Sequence, residues 1–300
     1  MPNTMHFEID SDRVMTVWLN LPHKSVNTLS VETWSDLDQL LESVDSLRPA
    51  GIVWASAKQR SFLAGADLFE MQAMDDASLD AYLSKGQRIV DRLAALPMPT
   101  VAAINGDALG GGLELALACR WRVAIDEPHI RIGLPESTLG LVPSWGGTIR
   151  LPRLVGLEVS LELMISGRPL SPAESLDKGM VDRIVPREQL LPASRQQILE
   201  PPPSSSSTAI AHNADAADYA RIIAQWRARL GSDPAEEISA SRCLVDIVEL
   251  SYRKGHAAAL EAERRGLIEL RHSAASRHLM DLFFQRLAAK KTAANQASQK

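Results

Sequence analysis

The chain has 300 residues, of which 45% are apolar, with a formal net charge of −5 and only two cysteines. This length suits one large domain or about two smaller ones, and the absence of an apolar run of about 18 residues predicts a soluble globular protein rather than a membrane protein. The acidic balance argues against nucleic-acid binding, and the isolated Cys119 and Cys243 argue against a disulfide framework or a zinc site. The first residues resemble neither a secretory signal nor a transit peptide, so the expected location is cytoplasmic.

In chain order, the first half alternates strand and helix patterns. The stretch "RVMTVWLN" has the alternation of a strand, and apolar residues at helical spacing follow Ser30, a candidate N-cap. The apolar stretches "GIVWAS" (51–56), "TVAAI" (100–104) and "WRVAI" (121–125) predict buried strands. Because strands alternate with helices, we predict an α/β fold with mainly parallel pairing.

The second half changes from this alternation to almost pure helix. The stretch "SPAESLDKG" predicts a short helix with a capping box formed by Ser171 and Glu174, and "MVDRIV" predicts a closing strand. The breaker-rich "EPPPSSSS" (200–207) predicts an exposed connector, and Ala, Leu, Glu and Arg at helical spacing dominate the residues beyond it. We predict an α/β core over 1–190, a low-complexity connector over 191–212 and a helical C-terminal region over 213–300.

The stretch "GDALGGGLELALACR" (106–120) places three consecutive glycines between a strand and a helix-like apolar run. Such a turn exposes backbone N–H groups at the positive end of a helix, where negative charge is stabilised. The spacing fits neither a P-loop, which needs a lysine after its second glycine, nor a dinucleotide fingerprint, which needs a glycine where Leu115 stands. Two interpretations remain, an oxyanion hole or a tight turn that permits close helix packing.

Three further features favour a catalytic site. The stretch "SFLAGADLF" (61–69) is a second loop of small residues after a strand, and it could bring another N–H group to the same oxygen. Glu136 follows a proline and either stabilises a helix N-terminus or transfers protons. Glu114 lies within the apolar run "LELALA", where an acid must be paired, protonated or kept for proton transfer. Backbone donors on a thioester oxygen and two acids together favour a reaction through an enolate.

In their order and separation, "AGAD", "NGDALGGGLELALAC" and "GLPESTLGLVPSWGGTIRLPRLVG" resemble the signature of the crotonase superfamily, specifically enoyl-CoA hydratases. The resemblance extends from "VNTL" to "LFFQRLAAKK" and is greatest to the hydratase/isomerase half of the multifunctional α subunit of fatty-acid β-oxidation. It implies an α/β spiral of ββα units with a helical C-terminal region, assembled as a homotrimer or hexamer. It also implies a lyase that adds water to trans-2-enoyl-CoA, with coenzyme A as part of the substrate and no metal or other cofactor.

The resemblance assigns roles to individual residues. The N–H groups of Ala64 and Gly111 match the two donors of the oxyanion hole. Glu114 matches the acid that acts mainly as the base toward water at Cβ, and Glu136 matches the acid that supplies the proton at Cα. The positions that match substrate-binding residues are Ala64, Gly65, Ala66, Asp67, Gly111, Ser144 and Trp145.

One position departs from the family pattern. Ser144 stands where the family usually has a glycine whose backbone helps to hold the catalytic water. If that position requires a positive φ, a serine would be strained there; if it does not, a hydroxyl has been added beside the water. The neighbouring Trp145 either narrows the acyl pocket or only packs. Lys24 and a C-terminal Arg or Lys are candidate partners of the CoA phosphates.

The sequence leaves two alternatives open. Isomerases that convert Δ3-enoyl-CoA to Δ2-enoyl-CoA use the same scaffold and can work with one acid, so the presence of both Glu114 and Glu136 favours hydration with minor isomerisation. Alternatively, the chain is a binding protein that has kept the fold, or a non-catalytic partner of a β-oxidation dehydrogenase or thiolase that docks through the helical C-terminal region. We expect no nucleic-acid or membrane partner.

Overall fold

In the computed structural model, the residues described are 3–200, 216–231 and 239–297. For residues 290–297, only the backbone is described. Within these ranges the strands are β1 (Met5–Ile9), β2 (Val14–Leu19), β3 (Gly51–Ser56), β4 (Ser61–Leu63), β5 (Thr100–Ile104), β6 (Asp107–Leu109), β7 (Trp121–Ile125), β8 (Ile132–Gly133) and β9 (Arg183–Val185).

The helices of the described ranges are α1 (Val31–Leu47), α2 (Leu68–Ala73), α3 (Asp76–Ala94), α4 (Gly111–Ala118), α5 (Gly147–Val155), α6 (Leu157–Ser166), α7 (Pro172–Asp177), α8 (Leu190–Leu199), α9 (Ala216–Leu230), α10 (Ala240–Lys254), α11 (His256–Arg271) and α12 (Ala274–Ala297). A 3-10 turn spans Glu136–Leu139, and a second one spans Arg187–Gln189.

The strands form two sheets whose order follows from a repeated ββα unit. The larger sheet has the order β1-β2-β3-β5-β7-β9, and within it only β1 is antiparallel to its neighbour. The smaller sheet has the order β4-β6-β8 and is parallel. The strand pairs β3 and β4, β5 and β6, and β7 and β8 each place their first strand in the larger sheet and their second in the smaller one. The predicted α/β spiral with a helical C-terminal region is confirmed.

Local sequence explains many of the element boundaries. The hydroxyl of Ser30 accepts a hydrogen bond from the amide of Thr33, so Ser30 is the N-cap of α1 as predicted. Ser171 and Glu174 form both hydrogen bonds of the predicted capping box at α7. Strand β1 was not predicted, because it is an edge strand in which only Met5 is fully buried and the alternation of a half-buried strand is therefore absent.

The predicted connector over 191–212 is wrong in its first part, because residues 191–199 belong to α8. Leu190, Ala193 and Ile198 recur at helical spacing and are buried where α8 packs against β3, β5 and β7. Pro192 does not interrupt the helix, since it lies in the first turn, where a missing N–H costs nothing. The low-complexity stretch 201–212 lies outside the described residues.

The C-terminal helices pack against the α/β core instead of standing apart from it. Helix α11 contacts α3 and α5, and α10 contacts α5 and α6. The partition of the chain into a core and a helical C-terminal domain stays a prediction. No helix within the described ranges combines the length and the apolar character that crossing a bilayer requires.

Candidate active site

Three sequence motifs that are far apart in the chain meet at one edge of the smaller sheet. The "AGAD" loop follows β4, the glycine turn follows β6, and Glu136 comes shortly after β8. Because these strands are parallel neighbours, their carboxyl ends share an edge. A cavity of about 160 Å³ lies there, and Gly111, Glu114, Glu136 and Trp145 are among the residues that line it.

The glycine turn has no room for side chains, and it also leaves an amide group without a partner within the helix. Gly110 has φ of +54°, and a Cβ on it would lie 2.8 Å from Oε1 of Glu136. A Cβ on Gly111 would lie 2.3 Å from the Trp145 ring. Helix α4 begins at Gly111, so the amide of Gly111 is one of the first-turn donors that a helix leaves unsatisfied. The two interpretations of the turn are therefore compatible: close packing demands the glycines, and the helix start supplies the donor.

The second donor expected from the sequence, the amide of Ala64, is a wrong assignment. This amide donates to the carbonyl of Asn27 at 2.9 Å and is therefore engaged within the fold. The carbonyl of Gly65 likewise faces the same segment, because it accepts from the amide of Leu29 at 2.8 Å. In a trans peptide the N–H points opposite to the preceding C=O, so the amide of Ala66 points away from that segment.

Ala66 is therefore the better candidate for the second donor. Gly65 has φ of +87°, and a Cβ on it would lie 3.4 Å from the amide nitrogen of Gly111, so the two loops are in contact. Ala66 lines the same cavity as Gly111. Sequence reasoning chose the wrong alanine of "AGAD", because the pairing partner of this loop lies in a distant part of the chain.

Glu114 is fully buried and held by backbone amides on one side only. Its Oε1 accepts from the amides of Trp145 at 2.7 Å and Gly147 at 2.8 Å. Its Oε2 is buried and has no hydrogen-bond partner among the described residues. Burial raises the pKa of Glu114 to about 7, although the two amides and the nearby Arg150 favour its ionised form. One oxygen is thus fixed, and the other is available to a substrate or a water.

Glu136 begins the 3-10 turn, and its carboxyl group faces the same cavity. Its Oε2 has no exposed surface and no hydrogen-bond partner among the described residues. Burial raises the pKa of Glu136 well above its ordinary value, and the negative charge of Glu114 raises it further. Two carboxyl groups that influence each other in this way favour a state in which one is ionised and the other protonated.

Sequence reasoning missed a third buried acid, Glu263 in α11. Its Oε2 accepts from the amide of Gly146 at 2.9 Å, and its Oε1 accepts from the hydroxyl of Thr148 at 2.6 Å. Burial and the charge of Glu114 raise the pKa of Glu263 to about 8. A signal was present in the sequence, because Glu263 lies at helical spacing between the buried residues Leu260 and Leu267.

The departure at position 144 causes no strain. Ser144 is absent from the described non-glycine residues with positive φ, and its carbonyl accepts from the side chain of Gln87 at 2.8 Å. Trp145 both lines the cavity and packs in the core, since its ring lies edge-on to Trp34 at 5.0 Å and to Tyr82 at 5.7 Å between centroids.

The remaining residue of the "AGAD" loop, Asp67, has a structural role. It is the N-cap of α2, accepting from the amide of Phe69 at 3.2 Å, and it forms an ion pair with Lys24. The Lys24 side chain is half-exposed, whereas that of Asp67 is almost fully buried. A second cavity of about 300 Å³ adjoins the first, since both are lined by Leu68, Met71, Leu141 and Leu267.

Comparison with known proteins gives a consistent result. A family model described as enoyl-CoA hydratase/isomerase matches residues 10–233. An enoyl-CoA hydratase from Bacillus anthracis is 26% identical, with 94% of this chain and 96% of that chain covered and a TM-score of 0.62. Two further structures share the fold: enoyl-CoA hydratase from Bacillus halodurans (22% identity, 93% and 99% covered, TM-score 0.67) and human mitochondrial delta3-delta2-enoyl-CoA isomerase (23%, 96% and 99%, 0.66).

Proposed function

The chain belongs to the enoyl-CoA hydratase/isomerase family, and we propose that it is an enoyl-CoA hydratase, which adds water to trans-2-enoyl-CoA to give 3-hydroxyacyl-CoA. The observation that carries the proposal is the pair Glu114 and Glu136. Each has a buried carboxyl oxygen without a hydrogen-bond partner among the described residues. Both residues line the same cavity as Gly111, the first residue of α4. An acid pair of this kind suits a reaction that removes one proton and supplies another.

The first part of the proposed mechanism is activation of the thioester. Its carbonyl oxygen binds between the amides of Ala66 and Gly111, and these donors stabilise the negative charge that develops as the enolate forms. The dipole of α4 adds to this effect at Gly111. In a serine protease, the loss of one oxyanion-hole donor lowers kcat by about 10²- to 10³-fold. No metal or further cofactor is required, since coenzyme A is part of the substrate.

The second part is proton transfer by the two acids. Ionised Glu114 accepts a proton from water through its unpartnered oxygen while the water oxygen bonds to Cβ. Protonated Glu136 delivers its proton to Cα of the enolate. The enzyme then holds its proton on Glu114 instead of Glu136, and one proton passed between them restores the starting state. The mutual influence of the two carboxyl groups supports this division into one base and one acid.

To test this proposal, the purified protein is mixed with crotonyl-CoA, and the decrease in enoyl-thioester absorbance is measured. We expect Glu114→Gln and Glu136→Gln each to lower kcat by about 10²- to 10⁴-fold, because each removes a group that transfers a proton. Glu158→Gln, at an exposed position in α6, is the matched control and keeps wild-type activity. If the wild-type protein hydrates neither short nor long enoyl-CoA substrates, the proposal is wrong.

The isomerase alternative is distinguished by its substrate and product. If 3-enoyl-CoA is converted to 2-enoyl-CoA faster than crotonyl-CoA is hydrated, isomerisation is the main activity. Under the proposed roles, Glu114→Gln loses hydration and retains isomerisation, because only hydration needs a base for water. A protein without either activity that co-purifies with a dehydrogenase or thiolase would instead be a non-catalytic partner.

We propose a cytoplasmic homotrimer or hexamer that acts in fatty-acid β-oxidation, as in the branch of the multifunctional α subunit that the sequence resembles. Light scattering coupled to gel filtration measures the assembly, and a monomer would contradict this part alone.

A further inference from the structure

The loop over residues 144–148, here called the acid-binding loop, presents four consecutive amides to two buried carboxylates. The amides of Trp145 and Gly147 donate to Oε1 of Glu114 at 2.7 and 2.8 Å. This loop leads directly into α5, so the amides lie at the positive end of a helix and favour negative charge. The orientation of Glu114 therefore depends on how firmly the loop is held.

The other two amides of the loop, those of Gly146 and Thr148, are bound by Glu263. Gly146 donates to Oε2 of Glu263 at 2.9 Å, and Thr148 donates to Oε1 through its amide at 3.3 Å and its hydroxyl at 2.6 Å. Glu263 has no exposed surface. Alternate amides thus go to Glu114 and to Glu263, and the loop is clamped between the two.

From this arrangement we propose that Glu263 is a positioning residue, which holds the acid-binding loop so that the amides of Trp145 and Gly147 keep Glu114 directed at the substrate. Glu263 does not line the active-site cavity, so its positioning effect on Glu114 passes through the loop. Its contribution to catalysis rests on the proposed hydratase activity, whereas its control of the loop does not.

Two further side chains, those of Gln87 and Arg150, bind carbonyl groups of the loop. The side-chain amide of Gln87 donates to the carbonyl of Ser144 and to the carbonyl of Leu260 in α11, both at 2.8 Å. Arg150 donates to the carbonyl of Trp145 at 2.9 Å. Helix α11 therefore contacts the loop through Glu263 directly and through Gln87 indirectly, which makes this C-terminal helix part of the catalytic support.

An ionised carboxylate accepts from these donors without donating in return, and they favour this form of Glu263 against the burial that raises its pKa to about 8. Gly146 and Thr148 present three N–H or O–H groups to Glu263, and a carboxylate has two accepting oxygens and nothing to donate. Above this pH, Glu263→Gln replaces one accepting oxygen with an NH₂ group that faces a donor. One loop amide is then left unpaired in a buried position, and the loop must shift to relieve this.

The charges that face Glu263 come from three elements. Glu114 in α4 and Glu136 in the 3-10 turn add negative charge, and Arg150 in α5 adds positive charge. Arg150 is also paired with Asp91 in α3. A substitution at Glu263 therefore changes both the position of Glu114 and the charge around it, so the test must separate the two effects.

The first experiment compares steady-state kinetics on crotonyl-CoA at a pH above 8, where Glu263 is mainly ionised. We expect Glu263→Gln to lower kcat by about 10- to 100-fold with KM nearly unchanged, because displacement of a catalytic group by a fraction of an ångström reduces turnover without removing substrate contacts. Glu261→Gln, an exposed acid two residues away on the same helix, is the matched control and keeps wild-type kinetics.

Thr148 separates position from charge, because its substitution leaves all three acids in place. Thr148→Val removes the hydroxyl that donates to Glu263 while keeping the shape of the side chain, and we expect a lower kcat. Thr148→Ser keeps the hydroxyl and restores kcat. Variants are compared only if their melting temperatures show that they are folded. If Glu263→Gln does not fold, Thr148→Val alone tests the positioning role.

The closing experiment needs no turnover. Amide proton resonances of Trp145 and Gly147, assigned with selective ¹⁵N labelling, report their hydrogen bonds to Glu114. In Glu263→Gln and Thr148→Val we expect both to move upfield, and in Glu261→Gln to stay in place. Unchanged resonances in folded variants overturn the inference, even if activity falls. If the wild type has no hydratase activity but the resonances move as expected, the proposed function fails and the positioning role stands.

Discussion

The backbone carbonyl of Asn27 accepts a hydrogen bond from the amide of Ala64 at 2.9 Å. This contact joins the "VNTL" stretch to the "AGAD" loop and removes Ala64 from the set of free amides. The carbonyl of Gly65 accepts from the amide of Leu29 at 2.8 Å, which turns the amide of Ala66 away from the same stretch. The backbone groups of Asn27 and Leu29 together therefore favour Ala66 over Ala64 as the second proposed oxyanion donor.

The side chain of Asn27 holds this arrangement together, and its loss should be costly. Its amide group donates to the carbonyls of Leu19 and Phe62 at 3.1 Å and to the hydroxyl of Ser56 at 2.9 Å. We expect Asn27→Ala to lower the free energy of unfolding by about 2–4 kcal/mol, because several buried groups lose their partners. Urea denaturation measures this. Asn3→Ala, an exposed control, should change it by less than about 0.5 kcal/mol.

The activity should rise with pH in the neutral range. Burial raises the pKa of Glu114 to about 7, and the proposed base must be ionised to accept a proton from water. The ionised fraction grows as pH increases through this value, so kcat/KM for crotonyl-CoA should fall about tenfold per pH unit below about 6 and level off above about 8. A profile measured at constant ionic strength that is flat from pH 5.5 to 8 would contradict the assignment of Glu114.

The stability of the protein should depend on the charge of Glu136. Its pKa is raised in the folded state, so the folded protein holds this proton more tightly than the unfolded chain does, and stability is lost as pH rises. Glu136→Gln removes this loss. We expect the variant to be more stable than the wild type at pH 8 and nearly equal to it at pH 4.

The measurement for Glu136 is urea denaturation at both pH values. Glu158→Gln, in which the removed charge is exposed, is the control and should show no such pH-dependent gain. A Glu136→Gln protein less stable than the wild type at pH 8 would show that the carboxylate is not penalised by burial.

The acyl specificity should depend on Trp145. Trp145 lines the cavity, and its ring lies directly beside Gly111 and Gly86. A Cβ added to Gly86 would lie 2.2 Å from Nε1 of Trp145. Trp145→Leu enlarges this end of the cavity, so we expect the ratio of kcat/KM for 2-octenoyl-CoA to that for crotonyl-CoA to rise about tenfold or more. The buried volume lost should also cost about 2–4 kcal/mol of stability.

A matched control separates the effect on specificity from the loss of packing. Trp34 is fully buried beside Trp145 but is not among the residues that line the cavity. Trp34→Leu should destabilise the protein to a similar degree and leave the ratio unchanged. An equal change of the ratio in both variants would mean that Trp145 only packs.

The sequence by itself determined the features that depend on neighbouring residues. The capping box of Ser171 and Glu174, the buried strands and the N-cap at Ser30 all arise from hydrogen bonds and side-chain spacing within a few residues. Glu114 was recognisable for the same reason, because a single acid within an apolar run needs a special environment. The order and spacing of the motifs also sufficed to identify the family.

Only the tertiary structure decided which groups face one another. The amide of Ala64 is occupied by Asn27, and the loop that holds Glu114 is bound by Glu263, more than a hundred residues further along the chain. Neither contact leaves a periodic pattern, because hydrogen bonds between distant segments depend on how the two sheets and α11 pack. The fold class follows from local patterns, whereas the orientation of each amide and carboxyl group in the site follows from that packing.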